Sequence, residues 1–342
     1  MKQKVFLVAM LCSLFMGVQA QNPIATLEHA GATSVFYGIT AFNDAYNASV
    51  NGDEVYLSAG YFYAPAAIAK GIKVYGSGHF PDSANVAKRT TISAGLTINK
   101  GADSLRLEGL YIDGDINYDG SNSVDYVKVL RSRVGNIEFR TNSAGAAKDY
   151  CSYEECYIDG DLNFSYYGTS LLLSKNIFFK QFYYISNGAL IEKNILLCAS
   201  DVFNSVSGSL IRDNIIFSTN PYSKTIYGNN STGNSFNNNL LVMANPSWNK
   251  NTQINNYSGI TQANIFVNQA GNAIDYSHDY HLKNPATYIG TDGTQVGLYG
   301  GLIPFKDGGI PSNPQITSKS VDTKTDANGN LKINFTVKAQ DN

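Results

Sequence analysis

Tyr111-Ile112-Asp113-Gly114-Asp115-Ile116-Asn117 recurs almost unchanged as Tyr157-Ile158-Asp159-Gly160-Asp161-Leu162-Asn163. Between the two copies lies Arg133-Val134-Gly135-Asn136-Ile137-Glu138, one residue shorter. Each Asp-Gly-Asp turn concentrates carboxylate oxygens, and Ca²⁺ takes roughly 6–8 oxygen ligands. Asp113, Asp115, Asp159 and Asp161 are therefore the candidate metal ligands, with Ca²⁺ as the candidate ion. The same residues are ordinary at a chain corner, where Asp closes local turns and Gly takes a positive φ. That is the simpler account. Hydrolysis of a glycosidic bond wants two carboxyl groups across a cleft at a defined separation. Asp113 with Asp159, or Asp115 with Asp161, can meet that separation, but nothing marks either member as an acid of raised pKa. No catalytic residue is assigned.

If the three segments stack in register, Asp115, Asn136 and Asp161 share one column, and Asn117, Glu138 and Asn163 share another. The two Asp-Gly-Asp turns then lie two rungs apart, about 10 Å. Arg131, Arg133, Arg140 and Lys180 are the nearest basic groups in sequence. Tyr166-Tyr167, Phe178-Phe179 and Phe182-Tyr183-Tyr184 fall in adjacent repeats. Tyrosine offers a sugar face a large apolar ring with a polar tip. Asp115, Asn136, Glu138, Asp161, Lys180 and Tyr183 are the candidate substrate-binding residues. His278 and His281 stand three apart, which on a strand sets them on opposite sides. They read as structural residues, not as a metal pair.

These columns require a repeating scaffold. The segments at 107–112 (LEGLYI), 129–134 (VLRSRV), 153–158 (YEECYI), 173–178 (LSKNIF), 191–196 (IEKNIL), 211–216 (IRDNII) and 236–241 (FNNNLL) share one pattern, and 261–266 (TQANIF) is a weaker copy. Their sixth position is always apolar, and their second and third are mostly polar or charged. One set of positions thus faces a core and another faces water. The copies recur every 18–25 residues, whereas a coiled coil recurs every seven or so. Ile, Leu, Phe and Tyr flanked by Gly, Asn and Ser are strand and turn signals. The pattern predicts a coil of short parallel strands, each turn stacked on the last at about 4.8 Å. The fourth position carries Asn176, Asn194, Asn214, Asn239 and Asn264. Stacked amides bond along such a column, and Asn tolerates the αL bend at a corner, so these five are expected to form a ladder there.

Composition agrees. Charged residues are 15% of the chain, against about 25% in ordinary soluble domains, and Asn occurs 37 times. A net charge of −2 gives no electrostatic footprint for nucleic acid. Residues 1–20 show a basic start, an apolar run and Val18-Gln19-Ala20, the pattern of a secretory leader cleaved near Ala20-Gln21. The apolar run is shorter than the ~20 residues of a membrane span, and no later segment is a candidate. The expected location is therefore secreted: periplasm, cell surface or extracellular. Cys151, Cys156 and Cys198 are odd in number and read as buried apolar side chains, although secretion permits a disulfide.

With these residues laid out, the chain resembles the secreted right-handed parallel β-helices of the pectate-lyase-like superfamily, Bacteroidetes type, from about residue 35 to 310. An Asn ladder is a familiar feature of that family. Gly52-Asp53-Glu54-Val55-Tyr56-Leu57-Ser58-Ala59-Gly60-Tyr61 is similar to its opening coil. Asp279-Tyr280-His281-Leu282 and residues 290–301 (GTDGTQVGLYGG) resemble its last turns. The resemblance implies an all-β solenoid acting on or binding polysaccharide. Several family lyases use Ca²⁺ beside a uronate carboxylate and a Lys or Arg base, but this sequence lacks the family's basic motif and its hydrolase aspartate set. Apolar residues at helical spacing in 37–50 predict a short capping helix. Residues 316–322 and 331–338 alternate around Asp326-Ala327-Asn328-Gly329-Asn330, a hairpin signal. The expected organisation is a leader at 1–20, a capped β-helix at 21–310 and a strand or hairpin tail at 311–342. The expected function is non-catalytic glycan binding or adhesion, with a polysaccharide or cell-surface glycan as partner. The alternative is a lyase or hydrolase acting on an acidic polysaccharide.

Overall fold

The computed structural model describes residues 22–80, 89–139, 148–164, 168–186, 188–218, 230–310 and 315–338. The expected leader at 1–20, its expected junction Ala20-Gln21, Arg140, Tyr166 and Tyr167 lie outside the described residues. The chain is a right-handed parallel β-helix of about nine turns. Each full coil gives one short strand to each of three sheets. Arg106–Glu108, Tyr111–Asp113 and Ile116–Tyr118 form one coil, and Lys128–Leu130, Arg133–Val134 and Ile137–Phe139 form the next. Among the described residues the first sheet has twelve strands, the second ten and the third six. Successive coils stack in parallel, with Leu107 on Val129 and Ile116 on Ile137. Side chains alternate across each strand. The inward set therefore builds one continuous core, in which Ile112, Val134, Ile158, Phe178, Leu196, Ile216 and Leu241 are all buried. These are the invariably apolar sixth positions of the repeat.

The corner between the first and second sheets carries the Asn ladder. The backbone N–H of Cys156, Asn176, Asn194 and Asn214 donates to the side-chain oxygen of Asn176, Asn194, Asn214 and Asn239 respectively, at 2.8–3.0 Å. The last rung differs from the expectation. Asn239 donates to Asn256, at 2.9 Å, whereas Asn264 sits exposed in the short helix Gln262–Ile265. The true final copy is 253–258 (QINNYS), hidden in sequence because its strands carry polar residues. The αL bend also lies one residue earlier than expected. Lys175, Lys193, Asp213, Asn238 and Asn255 take φ of 51–58°. A left-handed non-Gly residue costs about 1–2 kcal/mol, and the ladder bond of the next residue offsets it. Cys151, Cys156 and Cys198 are buried thiols without a disulfide.

The N-terminal end is closed by the antiparallel pair Ile24–His29 and Ala32–Tyr37 and by the helix Ala41–Ala48, which buries Ala41, Phe42, Ala45 and Tyr46 on the core. The C-terminal segment does not form closing turns as its resemblance implied. Phe266–Asn268 pairs antiparallel with Asp279–Leu282, and the segment lies as a strap along the outer face of the second sheet. That face is apolar there. Ile177, Ile195, Ile215 and Leu240 point outward and are covered by Phe266, Tyr280, Val296 and Leu298. Full burial of such side chains stabilises by about 1.5–3 kcal/mol each. Polar anchors fix the strap at the ladder corner. Thr291 donates from its N–H and hydroxyl to Asp213 at 2.7 and 2.8 Å, and Lys193 Nζ lies 3.1 Å from Asp292. The tail hairpin pairs Gln315–Val321 with Ile333–Lys338 as expected.

The far end of the strap closes over His79. This ring is fully buried, its Nδ1 lies 3.2 Å from the Tyr276 hydroxyl, and its Nε2 has no partner. Burial, aided by the charges of Arg133 and Arg89, lowers its pKa to about 3. An unfolded histidine takes a proton near pH 6.5. Its contribution is therefore fully present above pH 6.5 and is lost as pH falls toward 3. At pH 5 the loss is roughly 2 kcal/mol. Urea unfolding of His79→Asn at pH 7 and pH 5 should show a stability drop smaller by about that amount than the parent's. An equal drop in both proteins would contradict the burial argument.

Candidate functional site

The second corner, between the second and third sheets, holds most of the candidate residues. The Asn136 N–H donates to Asp115 Oδ1 at 2.7 Å, and the Asn136 amide donates to the same oxygen at 3.1 Å. The Asp161 N–H donates to Asn136 Oδ1 at 2.7 Å, and the Gln181 N–H to Asp161 Oδ1 at 3.0 Å. Gln181 Nε2 then donates to the Asp201 carbonyl at 2.6 Å. Asp115, Asn136 and Asp161 therefore share a column, as the spacing predicted. Their oxygens form a second ladder, running opposite in sense to the first, because here each coil receives the N–H of the following coil. The glycines of this corner follow from that packing. A Cβ on Gly160 would lie 2.2 Å from Asn136 Oδ1, and one on Gly135 would lie 2.5 Å from Asp115 Oδ1.

Beside this corner runs the outward row of the third sheet: Thr97, Asn117, Glu138, Asn163, Tyr183 and Asn204, paired strand to strand. It is a polar stripe that rises one coil at a time. The Tyr183 hydroxyl donates to Gln181 Oε1 at 2.5 Å, which ties the stripe to the corner. Burial, and then the nearby Asp161 carboxylate, raise the Tyr183 pKa, so this hydroxyl stays a neutral donor and acceptor at physiological pH. Tyr184 is exposed beside it.

A cleft of about 310 Å³ opens at the corner, lined by Asn136, Gly160, Asp161, Phe179, Lys180, Gln181, Cys198, Ala199, Ser200 and Asn272. Three candidates (Asn136, Asp161 and Lys180) meet in it, and Tyr183 adjoins it through Gln181. Among the described residues lining it, Lys180 is the only cation and Asp161 the only acid. Lys180 is exposed and makes no hydrogen bond or ion pair with the described residues. Asn272 comes from the strap, so one wall of the cleft is supplied from about ninety residues away in sequence. Sequence reasoning missed Gln181, Ser200 and Asn272. Gln181 was reachable, since it stands twenty residues after Asp161 in the column. Asn272 carried no signal, because the strap lies outside the repeat.

The four aspartates considered as metal ligands divide between two surroundings. Asp115 and Asp161 accept ladder N–H groups at the corner. Asp113 and Asp159 lie on the outer face of the second sheet. Asp113 is exposed and accepts from the Tyr111 hydroxyl at 3.3 Å. Asp159 Oδ2 accepts from Arg133 at 2.7 and 2.9 Å, and its Oδ1 is buried without a partner. Burial raises the Asp159 pKa against the opposing pull of Arg133. Among the described residues no group of three or more His, Cys, Asp or Glu gathers closely enough to hold a metal ion, so these four form no convergent Ca²⁺ cage. Arg131 and Arg133 are likewise committed, Arg131 to Glu108 and Glu155 and Arg133 to Asp159. His278 and His281 belong to the strap, where His281 stacks on Tyr299 at 3.7 Å.

Comparison with protein-family models, with curated proteins and with solved structures finds no match.

Proposed function

We propose that this chain is a secreted or surface-displayed β-helix, akin to the pectate-lyase-like superfamily, that binds a polysaccharide or cell-surface glycan without cleaving it. The observation that carries the reading is the cleft in which Asn136, Asp161, Lys180 and Gln181 converge beside the polar stripe and Tyr183. Amides and hydroxyls match sugar hydroxyls in both donor and acceptor roles. A parallel stack repeats such groups at about 4.8 Å, which suits an extended chain lying along the stripe. Catalysis finds less support. Asp115 and Asp161 each use an oxygen to cap the ladder, and Asp159 is held by Arg133. Among the described residues lining the cleft Asp161 is the one acid, so no carboxyl pair faces across it in the manner hydrolysis requires.

Lys180 is the group expected to choose the ligand. Its ammonium stands in the cleft without a partner among the described residues, so it favours a glycan bearing a carboxylate. A hydrogen bond to a charged group contributes about 1.5–3 kcal/mol, so Lys180→Ala should weaken binding of a uronate-bearing oligosaccharide about tenfold or more. A neutral oligosaccharide of the same length should lose much less. Titration calorimetry on both ligands checks this. Equal affinities for parent and variant would remove the cleft from the binding site. The same unpartnered side chain favours a second reading, a lyase in which Lys180, as its neutral amine, takes the proton beside the uronate carboxylate while the glycosidic C4–O bond breaks and the leaving sugar departs as an alcohol. Unsaturated product from the parent, absent in Lys180→Ala, would establish that reading instead.

A further inference from the structure

The first sheet begins on an edge with which no other strand pairs among the described residues. Ala32–Tyr37 pairs only with Ile24–His29, through a two-residue turn in which Ala30 and Gly31 have φ of 49° and 80°. Residues flanking such a turn exchange their hydrogen bonds, and the pattern then alternates along an antiparallel pair. Ala32, Ser34 and Phe36 therefore bond inward to the neighbouring strand. The N–H of Gly38, next in that series, donates to the Pro23 carbonyl at 2.8 Å, which fixes the phase. Thr33, Val35 and Tyr37 consequently turn their N–H and C=O groups to the open edge. Their side chains share the outer face with Thr26 and Ile24, opposite which Val35 and Tyr37 stand. Val35 is 46% and Tyr37 66% exposed.

Native sheets protect such edges with Lys, Pro, bulges or a covering segment. Among the described residues this strand has none of these devices. Residues 30–43 contain no charged residue and no proline, and the pairing register is unbroken. We propose that Ala32–Tyr37 is a dimerisation strand whose occupant is the same strand of a second copy, antiparallel about a two-fold axis at Val35. The choice of a second copy rests on self-complementarity. Antiparallel neighbours share a face only when opposite residues come from the same alternating set. Centring on Val35 sets Thr33 against Tyr37 of the partner subunit and Val35 against Val35 of the partner subunit. All three are edge-facing residues on one face, so about six main-chain hydrogen bonds form at once. An uncharged strand meets its own copy without repulsion. The interface is closed, because a two-fold pairing uses the same strand of both copies.

The test is the mass of the purified full-length chain by light scattering and sedimentation, for the parent and for Val35→Pro and Val35→Lys. Proline is tolerated on an edge whose N–H faces outward, and lysine blunts an edge without touching the inner ladder. The parent should run as two chains. Both variants should fall two-fold in mass while keeping the parent's circular dichroism and melting temperature. Amides of Thr33 and Tyr37 should exchange slowly in the parent and at least tenfold faster in Val35→Lys. A parent that stays a single chain at every concentration would overturn the proposal. So would a dimer that survives in folded Val35→Lys, or a ladder of larger oligomers, which would indicate head-to-tail pairing with the opposite edge at Thr252–Ile254.

Discussion

Asn214→Ala is expected to lower the stability of the β-helix by about 3–5 kcal/mol, more than most single substitutions do. Asn214 is fully buried and sits in the middle of the ladder. Its amide donates to the carbonyls of Ile191 and Arg212 and to Asn239 Oδ1, at 2.8, 2.9 and 3.0 Å. Its Oδ1 accepts the N–H and the amide of Asn194, at 2.9 and 3.0 Å. Alanine leaves the Asn194 N–H without an acceptor in a dry corner and takes a donor from the carbonyls of Ile191 and Arg212 and from Asn239 Oδ1. Each buried polar group so orphaned costs about 1–3 kcal/mol. The bend also suffers, since Asp213 holds its αL conformation beside this bond. The matched control is Asn264→Ala. Asn264 is exposed and outside the ladder, so its loss should fall within about 0.5 kcal/mol of zero. Urea unfolding of the two variants distinguishes the ladder ending at Asn256 from one ending at Asn264.

Arg131→Ala is expected to cost about 3–5 kcal/mol by a different route. The Arg131 guanidinium donates to Glu108 Oε1 at 2.9 Å and to Glu155 Oε2 at 3.0 Å. Glu108 is wholly buried, and its other oxygen is held by Arg106 at 2.6 Å. Removing the guanidinium leaves two carboxylates without their shared partner in low dielectric, which is far worse than never having built the pair. Arg131→Lys should recover only part of the loss, because an ammonium cannot serve both carboxylates with the fixed fork of a guanidinium. The charges lie at the first corner, away from the cleft. Glycan affinity of the folded Arg131→Ala protein should therefore match the parent, and a tenfold loss would show that the two corners are coupled.

These two corners also show what the sequence could and could not say. The repeat was legible because a parallel stack forces equivalent residues into columns, and columns survive insertions in the loops. That is why the pairing of Asn117 with Glu138 and of Glu138 with Asn163 could be read from spacing alone. The last coil was not legible, because Thr252–Ile254 is exposed and an exposed strand need not repeat the apolar signature. Asn264 was therefore taken in place of Asn256. The strap was misread for a related reason. Its Tyr280 and Leu282 bury against the outside of the second sheet, yet alternation alone does not tell an inner face from a covered outer one. The paired aspartates were visible as a duplicated motif. Their division between the ladder and the second sheet was not, since it turns on the one-residue difference at Gly135 and on which oxygen meets a backbone N–H. The cleft depends on Asn272 of the strap, and no local pattern links that residue to Asp161.

The central claim is that the cleft at the second corner holds a glycan and leaves it intact. The most direct measurement is a panel of acidic and neutral polysaccharides, followed at once for binding and for product, as uronate absorbance and as new reducing ends. The account predicts binding of at least one uronate-bearing polysaccharide, weakened about tenfold by Lys180→Ala, with neither product formed. Unsaturated uronate or new reducing ends from the parent protein would contradict it, and so would binding that is indifferent to Lys180.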